Sequence, residues 1–536
     1  MRSKTGTALV ALLAALLVVG AASAKSQHSS AGGTLNVDLT TDVDYTDPAL
    51  SYLSTGWELE FATCLKLMNY PDANGPRASQ LIPEAAAGFP KVSNNGKTYD
   101  FTINTGFTKF SNGQPVTAAS FKAVFDRLAD PKMQSPSGAF MSDIVGSSKT
   151  PVSGVRVKGN HLIISMTHSA PDLLARLAMP FFCAIPTNLP HEPNGVLAPP
   201  SAGPYYISDR KPNTSITIKK NLFYKGKRPH NLNQINYVIG NSLPATYLRV
   251  QQGATDYAAG GIPPASYAEA AQKYGINKGQ FWVKPQLGVN YLAFNHDRAL
   301  FKGATGVALA KSVNYAIDRK AMLAQGGYLA GKRTDQILPP GMAGFRDANL
   351  YPLKGPDIAT AKKWAAKAGI KSGTGVELYT SNRGSAPLVA QIIQFNLKQI
   401  GLDVNSHLFA RAVQIDKEGT RGEPFDITTE GWIADYADPY DFINVLLYGG
   451  NLHASNNNNV AYFNDPKYNK AMTTAAGMSG SARYKAYGNL DVAMMKDNPP
   501  WAARNNFNDR VLLSGRVGCF TFNATYSVDL AALCIK

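Results

Sequence analysis

Long hydrophobic runs are almost missing from these 536 residues. Only one approaches membrane length, at the extreme N-terminus, so a polytopic membrane protein is excluded. Charge is modest: 17% of residues are charged against 44% hydrophobic, a globular balance that excludes a disordered or coiled-coil chain. There are four cysteines and no C-x-x-C, which argues against a zinc ribbon or a redox pair. No G-x-S-x-G elbow and no H-E-x-x-H helix occurs, so the plain signatures of secreted hydrolases are lacking. The eight histidines stand singly, without an H-x-H or H-x(3)-H pair, and no metal or cofactor is expected. Internal repeats and long low-complexity linkers are missing too.

What is present begins with an address. Residues 1–24 carry Arg2 and Lys4, an apolar run over 8–19, and Ala22-Ser23-Ala24. About 12 residues are too few to span a bilayer, and the small-residue ending fits cleavage, so this segment reads as a secretory signal peptide. No cysteine stands at the cleavage point, which predicts an exported, periplasmic or extracellular protein without the usual lipid anchor. Export brings an oxidising compartment, where an even cysteine count favours disulfides. Four cysteines allow three pairings; the favoured one joins Cys519 with Cys534 and Cys64 with Cys183, and four buried free thiols is the alternative.

The formal net charge is +16. Its densest clusters are short, as in Lys225-Gly226-Lys227-Arg228 and Lys362-Lys363, so it reads as a solvated basic surface rather than a nucleic-acid footprint.

Periodicity predicts strands at 34–40, 97–103 and 233–240, a hairpin over 155–166 and two strands within 205–218. Helical spacing marks 117–128, 307–324, 358–367 and 387–400, with further strands at 376–381 and 402–408. A β-rich first half thus precedes an α/β second half. Gly326-Gly-Tyr-Leu-Ala-Gly331-Lys332-Arg333 comes close to a phosphate loop. Arg333 stands where the Mg²⁺-holding hydroxyl belongs, and a helix precedes the segment where a strand should, so a glycine-rich helix exit is the better reading. Carboxylates and aromatics gather at Trp432, Asp435, Tyr436, Asp438, Tyr440, Asp441 and Phe442. That mixture suits a ligand with a positive end and an apolar body, and it equally suits a core turn at Asp438-Pro439.

The order of several segments tips that balance. Ser111-Asn-Gly-Gln-Pro-Val-Thr-Ala-Ala-Ser-Phe121 with Arg127-Leu-Ala-Asp-Pro131, then Ser201-Ala-Gly-Pro-Tyr-Tyr206, Lys219-Lys-Asn-Leu-Phe-Tyr224, Asn314-Tyr-Ala-Ile-Asp-Arg319, Ala361-Lys-Lys-Trp-Ala-Ala-Lys-Ala-Gly369 and Gly431-Trp-Ile-Ala-Asp-Tyr436 follow one another. Together they resemble the family 5 extracellular solute-binding proteins, the peptide- and nickel-type binding components of ABC importers. The resemblance spans nearly the whole chain after residue 24.

It implies a mixed α/β, two-lobed fold of the type II periplasmic-binding-protein kind with an extra insert domain. Lobe I would comprise 34–80, 200–292 and 505–536, the insert 81–199, and lobe II 293–504. Crossovers near Leu287–Asn295 and Arg504–Asn508 would hinge the lobes. The function implied is capture of a peptide or peptide-like solute between closing lobes and delivery to a membrane permease, by a monomer that is not an enzyme. Asp435 takes the position that pairs with a peptide's α-ammonium, Trp432 and Tyr436 wall the cleft, and Phe140 and Tyr45 are further ligand contacts. An exported hydrolase with dispersed catalytic residues, or the same fold holding an oligosaccharide or a metal complex, are the alternatives. Two departures stand out: Thr429 replaces an Arg found in some oligopeptide binders, and Ser120 replaces the usual Asp.

Overall fold

A computed structural model describes residues 32–106 and 108–536; the signal-peptide reading lies outside them. Three large sheets organise the described residues, with three two-stranded ribbons beside them. In the first, Thr34–Leu39 lies parallel between Gln234–Ile239 and Tyr257–Ala258, and Ser215–Lys220 and Tyr205–Lys211 extend it antiparallel. Leu35 and Val37 of the first strand, Ile216 and Ile218, and Ile235 and Tyr237 alternate inward, as a period-two pattern requires, and form one core.

An antiparallel sheet of Lys91–Ser93, Thr98–Thr102, His161–Ser165 and Val155–Lys158 builds the insert. The helix Ala118–Leu128 covers it with Phe121, Val124, Phe125 and Leu128. Ser120, the departure from the family pattern, takes a helix-start role: its Oγ accepts the Thr117 N–H at 3.2 Å.

The remaining sheet runs Phe281–Pro285, Trp501–Leu512, Gly288–Phe294, Ile427–Ile433, Thr374–Ser381, Leu402–Phe409. Its parallel pair, Thr374–Ser381 with Leu402–Phe409, is joined by the helix Ala386–Lys398, a βαβ unit. The strand Trp501–Leu512 serves two neighbours. Residues 501–505 pair with Gly288–Phe294, and 508–512 pair with Phe281–Pro285. Between Asn505 and Ala503 the register shifts, so Arg504 is a bulge residue without a partner in Gly288–Phe294. The result is a mixed helix-and-sheet protein of two lobes and an insert.

The helix expected over 307–324 is two helices, Gly303–Ala316 and Arg319–Ala324. Asp318 breaks it: its carboxylate accepts the Ala321 N–H at 2.9 Å and starts the second helix. Arg319 follows, wholly buried, donating to the Ala503 carbonyl at 2.7 Å and to Asn314 Oδ1 at 2.8 Å, so this stretch knits helix to sheet. Gly331, in the near-phosphate-loop segment, opens the short strand Gly331–Arg333 against residues 505–507. Its φ of 154° brings it so close to the Asn506 carbonyl that a side chain would collide, which is why glycine stands there. Cys64 bonds Cys183 and Cys519 bonds Cys534, the favoured pairing, with Cα separations of 5.2 and 5.5 Å.

Candidate functional site

The strand Ile427–Ile433 ends in a loop, 434–439, before the helix Tyr440–Leu447. Asp441, in the first turn of that helix, shapes the loop. One of its oxygens, Oδ2, accepts both the Asp435 N–H and the Trp432 Nε1–H at 3.0 Å. Its other oxygen is buried without a hydrogen bond. Burial, then the neighbouring Asp435 carboxylate, push the Asp441 carboxyl well above the usual carboxylate range.

Three tyrosine hydroxyls fasten this loop to segments distant in the chain. Tyr52 donates to Asp435 Oδ2 at 2.9 Å, Tyr70 accepts the Ala437 N–H at 3.1 Å, and Tyr436 donates to Asp172 Oδ2 at 3.2 Å. Asp172 also meets Arg176 at 3.1 Å, and Asp438 is held by Arg483 Nη1 at 2.8 Å. Around Tyr52 stand Trp57, Phe140 and Phe181, with ring centroids 5.6, 6.3 and 5.6 Å away. Asp435 therefore lies in a mostly apolar surrounding, 8% exposed, and burial raises its pKa to about 7 against the lowering effect of the Tyr52 hydrogen bond. A carboxylate so placed is costly to ionise alone and gains most from a cationic partner that replaces the neutral hydroxyl.

Four of the five residues singled out in the sequence converge here. Asp435 and Trp432 are linked through Asp441, and the Phe140 ring meets the Tyr436 ring edge-on at 6.3 Å. Tyr436 is wholly buried and belongs to the core that residues 49–202 build, rather than facing open space. Tyr45 stays 38% exposed, and no hydrogen bond or ring contact joins it to the other four. Sequence reasoning missed Tyr52, Tyr70 and Asp172. Nothing local marks them, because each acts on a loop hundreds of residues away.

Two cavities adjoin the loop's strand and lobe junction. One of about 490 Å³, mostly apolar, lies between the lobes and is walled by Tyr70, Leu287, Pro340, Ala437 and Phe522. Another, about 360 Å³ and polar, opens in the second lobe beside Glu430 and Gly431. Asp435 lines neither; it is closed off by Tyr52. Among the described residues no cluster of three or more His, Cys, Asp or Glu side chains is placed to hold a metal ion. Nor is any of their helices long and apolar enough to cross a membrane.

Two lobes bridged by crossing strands give a fold of the type II periplasmic-binding-protein class. The family model described as bacterial extracellular solute-binding proteins, family 5 Middle, matches residues 80–454, and the chain belongs to that family. The oligopeptide-binding protein OppA of Bacillus subtilis is 26% identical over 396 residues, covering 69% of this chain and 70% of OppA. The probable D,D-dipeptide-binding periplasmic protein DdpA of Escherichia coli is 24% identical over 414 residues, 76% of each. A solved clavulanic acid biosynthesis oligopeptide binding protein 2 superposes with a TM-score of 0.86 at 20% identity, covering 94% of this chain and 95% of that one.

Proposed function

We propose that this chain is the extracytoplasmic binding component of an ABC importer, a monomer that captures a short peptide between its lobes and presents it to a membrane permease. Asp435 carries the reading. A peptide's α-ammonium would take the place of the Tyr52 hydroxyl, turning a buried carboxylate with a neutral partner into a hydrogen-bonded ion pair. Trp432, Phe140 and Tyr436 would pack on the ligand's apolar parts once the lobes part to admit it, and Tyr45 would join at the rim. Lobe I would be 34–80, 200–292 and 505–536, the insert 81–199 and lobe II 293–504. The strand exchange at Trp501–Leu512 and Phe281–Pro285 supports hinges near Leu287 and Arg504. Export through residues 1–24 fits this role. Two relatives named for oligopeptides and dipeptides support the ligand class.

Native mass spectrometry of the protein incubated with pooled di- to pentapeptides tests the proposal. A retained adduct of peptide mass, lost in Asp435→Ala, is the expected result. An adduct of sugar or metal-complex mass, with peptides ignored, would overturn the peptide assignment. Cleaved peptides appearing in solution would make the chain a hydrolase.

A further inference from the structure

The strand Ser215–Lys220 runs into a turn that carries two apolar side chains outward. Both ends of the turn are pinned. Asn221 is buried: its Nδ2 donates to the Gly203 carbonyl at 3.1 Å and the Lys109 carbonyl at 3.3 Å, and its Oδ1 accepts the Phe223 N–H at 3.0 Å. Its own carbonyl accepts the Tyr224 N–H at 3.1 Å. Tyr224 is buried too, and its hydroxyl accepts the Arg228 N–H at 3.3 Å. Between these anchors stand Leu222 and Phe223. Leu222 is 79% exposed, the highest value for a large apolar side chain among the described residues, and Phe223 is 43% exposed. The centre of a turn ordinarily carries Gly, Pro, Asn, Asp or Ser. The buried anchors hold this turn without help from Leu222, so packing does not explain a leucine there.

Lysines flank the pair. Lys219 and Lys220 precede it, Lys225 and Lys227 follow it, and Lys109 adjoins it through the Asn221 bond. All but the half-buried Lys220 are exposed, and among the described residues none of the five forms an ion pair. Their strand neighbours are neutral: Lys219 stands opposite Tyr206 and Gln234, and Lys220 opposite Tyr205. The carboxylates of this region face inward. Asp72 bonds Arg228, and Glu84, with a side chain only 7% exposed, accepts the Lys66 N–H at 2.9 Å. Ile82, itself exposed, shares with Lys225 and Lys227 the wall of a cavity of about 390 Å³ beside the turn and adds to its apolar surface.

We propose that the turn at Leu222 and Phe223 is a docking surface for an anionic phospholipid bilayer. The two apolar side chains enter the boundary between headgroups and acyl chains, and the lysines meet the lipid phosphates. Apolar insertion and attraction to anionic lipid add in such contacts, and a lysine stem lies along the apolar layer while its ammonium stays at the phosphates. A protein partner fits less well. Protein interfaces are rich in Arg and poor in Lys, whereas the exposed cations here are all Lys. The one Arg of the segment, Arg228, is buried against Asp72 and the Phe61 carbonyl. The formal net charge of +16 favours approach to the same surface. The inference concerns where the protein docks, not what its lobes capture, so it goes beyond the peptide reading and stands apart from it.

Vesicle co-sedimentation tests it, using the exported chain from Lys25 onward so that the apolar run at 8–19 plays no part. The protein is expected to sediment with vesicles of phosphatidylcholine mixed with phosphatidylglycerol, to stay in solution with phosphatidylcholine alone, and to be released as salt rises. Leu222→Ser with Phe223→Ser should weaken binding about tenfold or more. Lys225→Gln and Lys227→Gln should each weaken it about fivefold. The thermal midpoint of the serine variant should stay at the parent's, since neither residue belongs to a core cluster; this separates lost docking from lost folding. Equal sedimentation with both vesicle types, or with neither, overturns the proposal. Binding to the anionic vesicles that survives the serine variant overturns it as well, because the charge of the whole surface would then suffice. Binding to native membranes with their proteins, but not to vesicles of their extracted lipid, would assign the turn to a protein partner and overturn the lipid assignment.

Discussion

Asp435 has a neutral partner in the structure, the Tyr52 hydroxyl, and a cationic one in the proposed function. Beside the neutral Tyr52 hydroxyl its pKa sits at about 7, against an ordinary value near 3.9. The sign of the pH response follows. A raised carboxyl binds its proton more tightly in the folded state, so its contribution to stability is complete below about pH 4 and is lost as pH rises through about 7. Ligand affinity runs the other way. An ammonium needs the ionised form, so peptide affinity should climb by up to about tenfold per pH unit from about 5 to 7. It should then level off and fall as the ligand's own amine deprotonates near 8. Calorimetry across that range checks this, and Asp435→Asn should give a flat acid limb. A flat limb in the parent protein would mean that Asp435 does not meet the amine. At this scale the sequence singled out Asp435 and Trp432, because carboxylate and aromatic stand together in one short segment. It concealed Tyr52 and Arg504. Tyr52 matters only through a partner 383 residues away. Arg504 is set apart by a register shift between strands more than 200 residues apart in the chain.

Elements were more legible than residues, since alternation and helical spacing are local. The strands Thr34–Leu39 and Thr98–Thr102 and the helix Ile358–Lys367 fall where periodicity puts them. The break at Asp318 was hidden because apolar spacing continues across it, while a single carboxylate caps the next helix. The ribbon Val517–Gly518 with Cys534–Ile535 is too short to hold its register by pairing alone, and the Cys519–Cys534 bond closes it. Replacing both cysteines by Ala should cost about 3 kcal/mol, the loop-closure value for some 15 residues. The midpoint of urea unfolding reads that loss, and an unchanged midpoint would show that the packing of Leu530, Leu533 and Ile535 suffices.

At the scale of the whole molecule, the loop 434–439 is docked into a core built by residues 49–202. Tyr436 is buried there, and Tyr52, Tyr70 and Asp172 hold residues 435–437 by hydrogen bonds. Parting the lobes requires these contacts to break, and under the proposed function a ligand shifts that balance by supplying a new partner for Asp435. The motif order implied the two lobes, but no sequence pattern could show that the loop is docked, because docking joins groups from three distant segments. The most direct test is energy transfer between dyes on Lys219→Cys, on the first sheet, and Lys398→Cys, on the helix Ala386–Lys398; both positions are exposed. Adding a tripeptide with a free amine should change the high-transfer population in the parent protein, since the ligand's contacts replace the Tyr52–Asp435 bond. Adding it at the same concentration to Asp435→Asn should leave that population unchanged. A peptide that binds without altering the distance distribution would contradict capture between closing lobes.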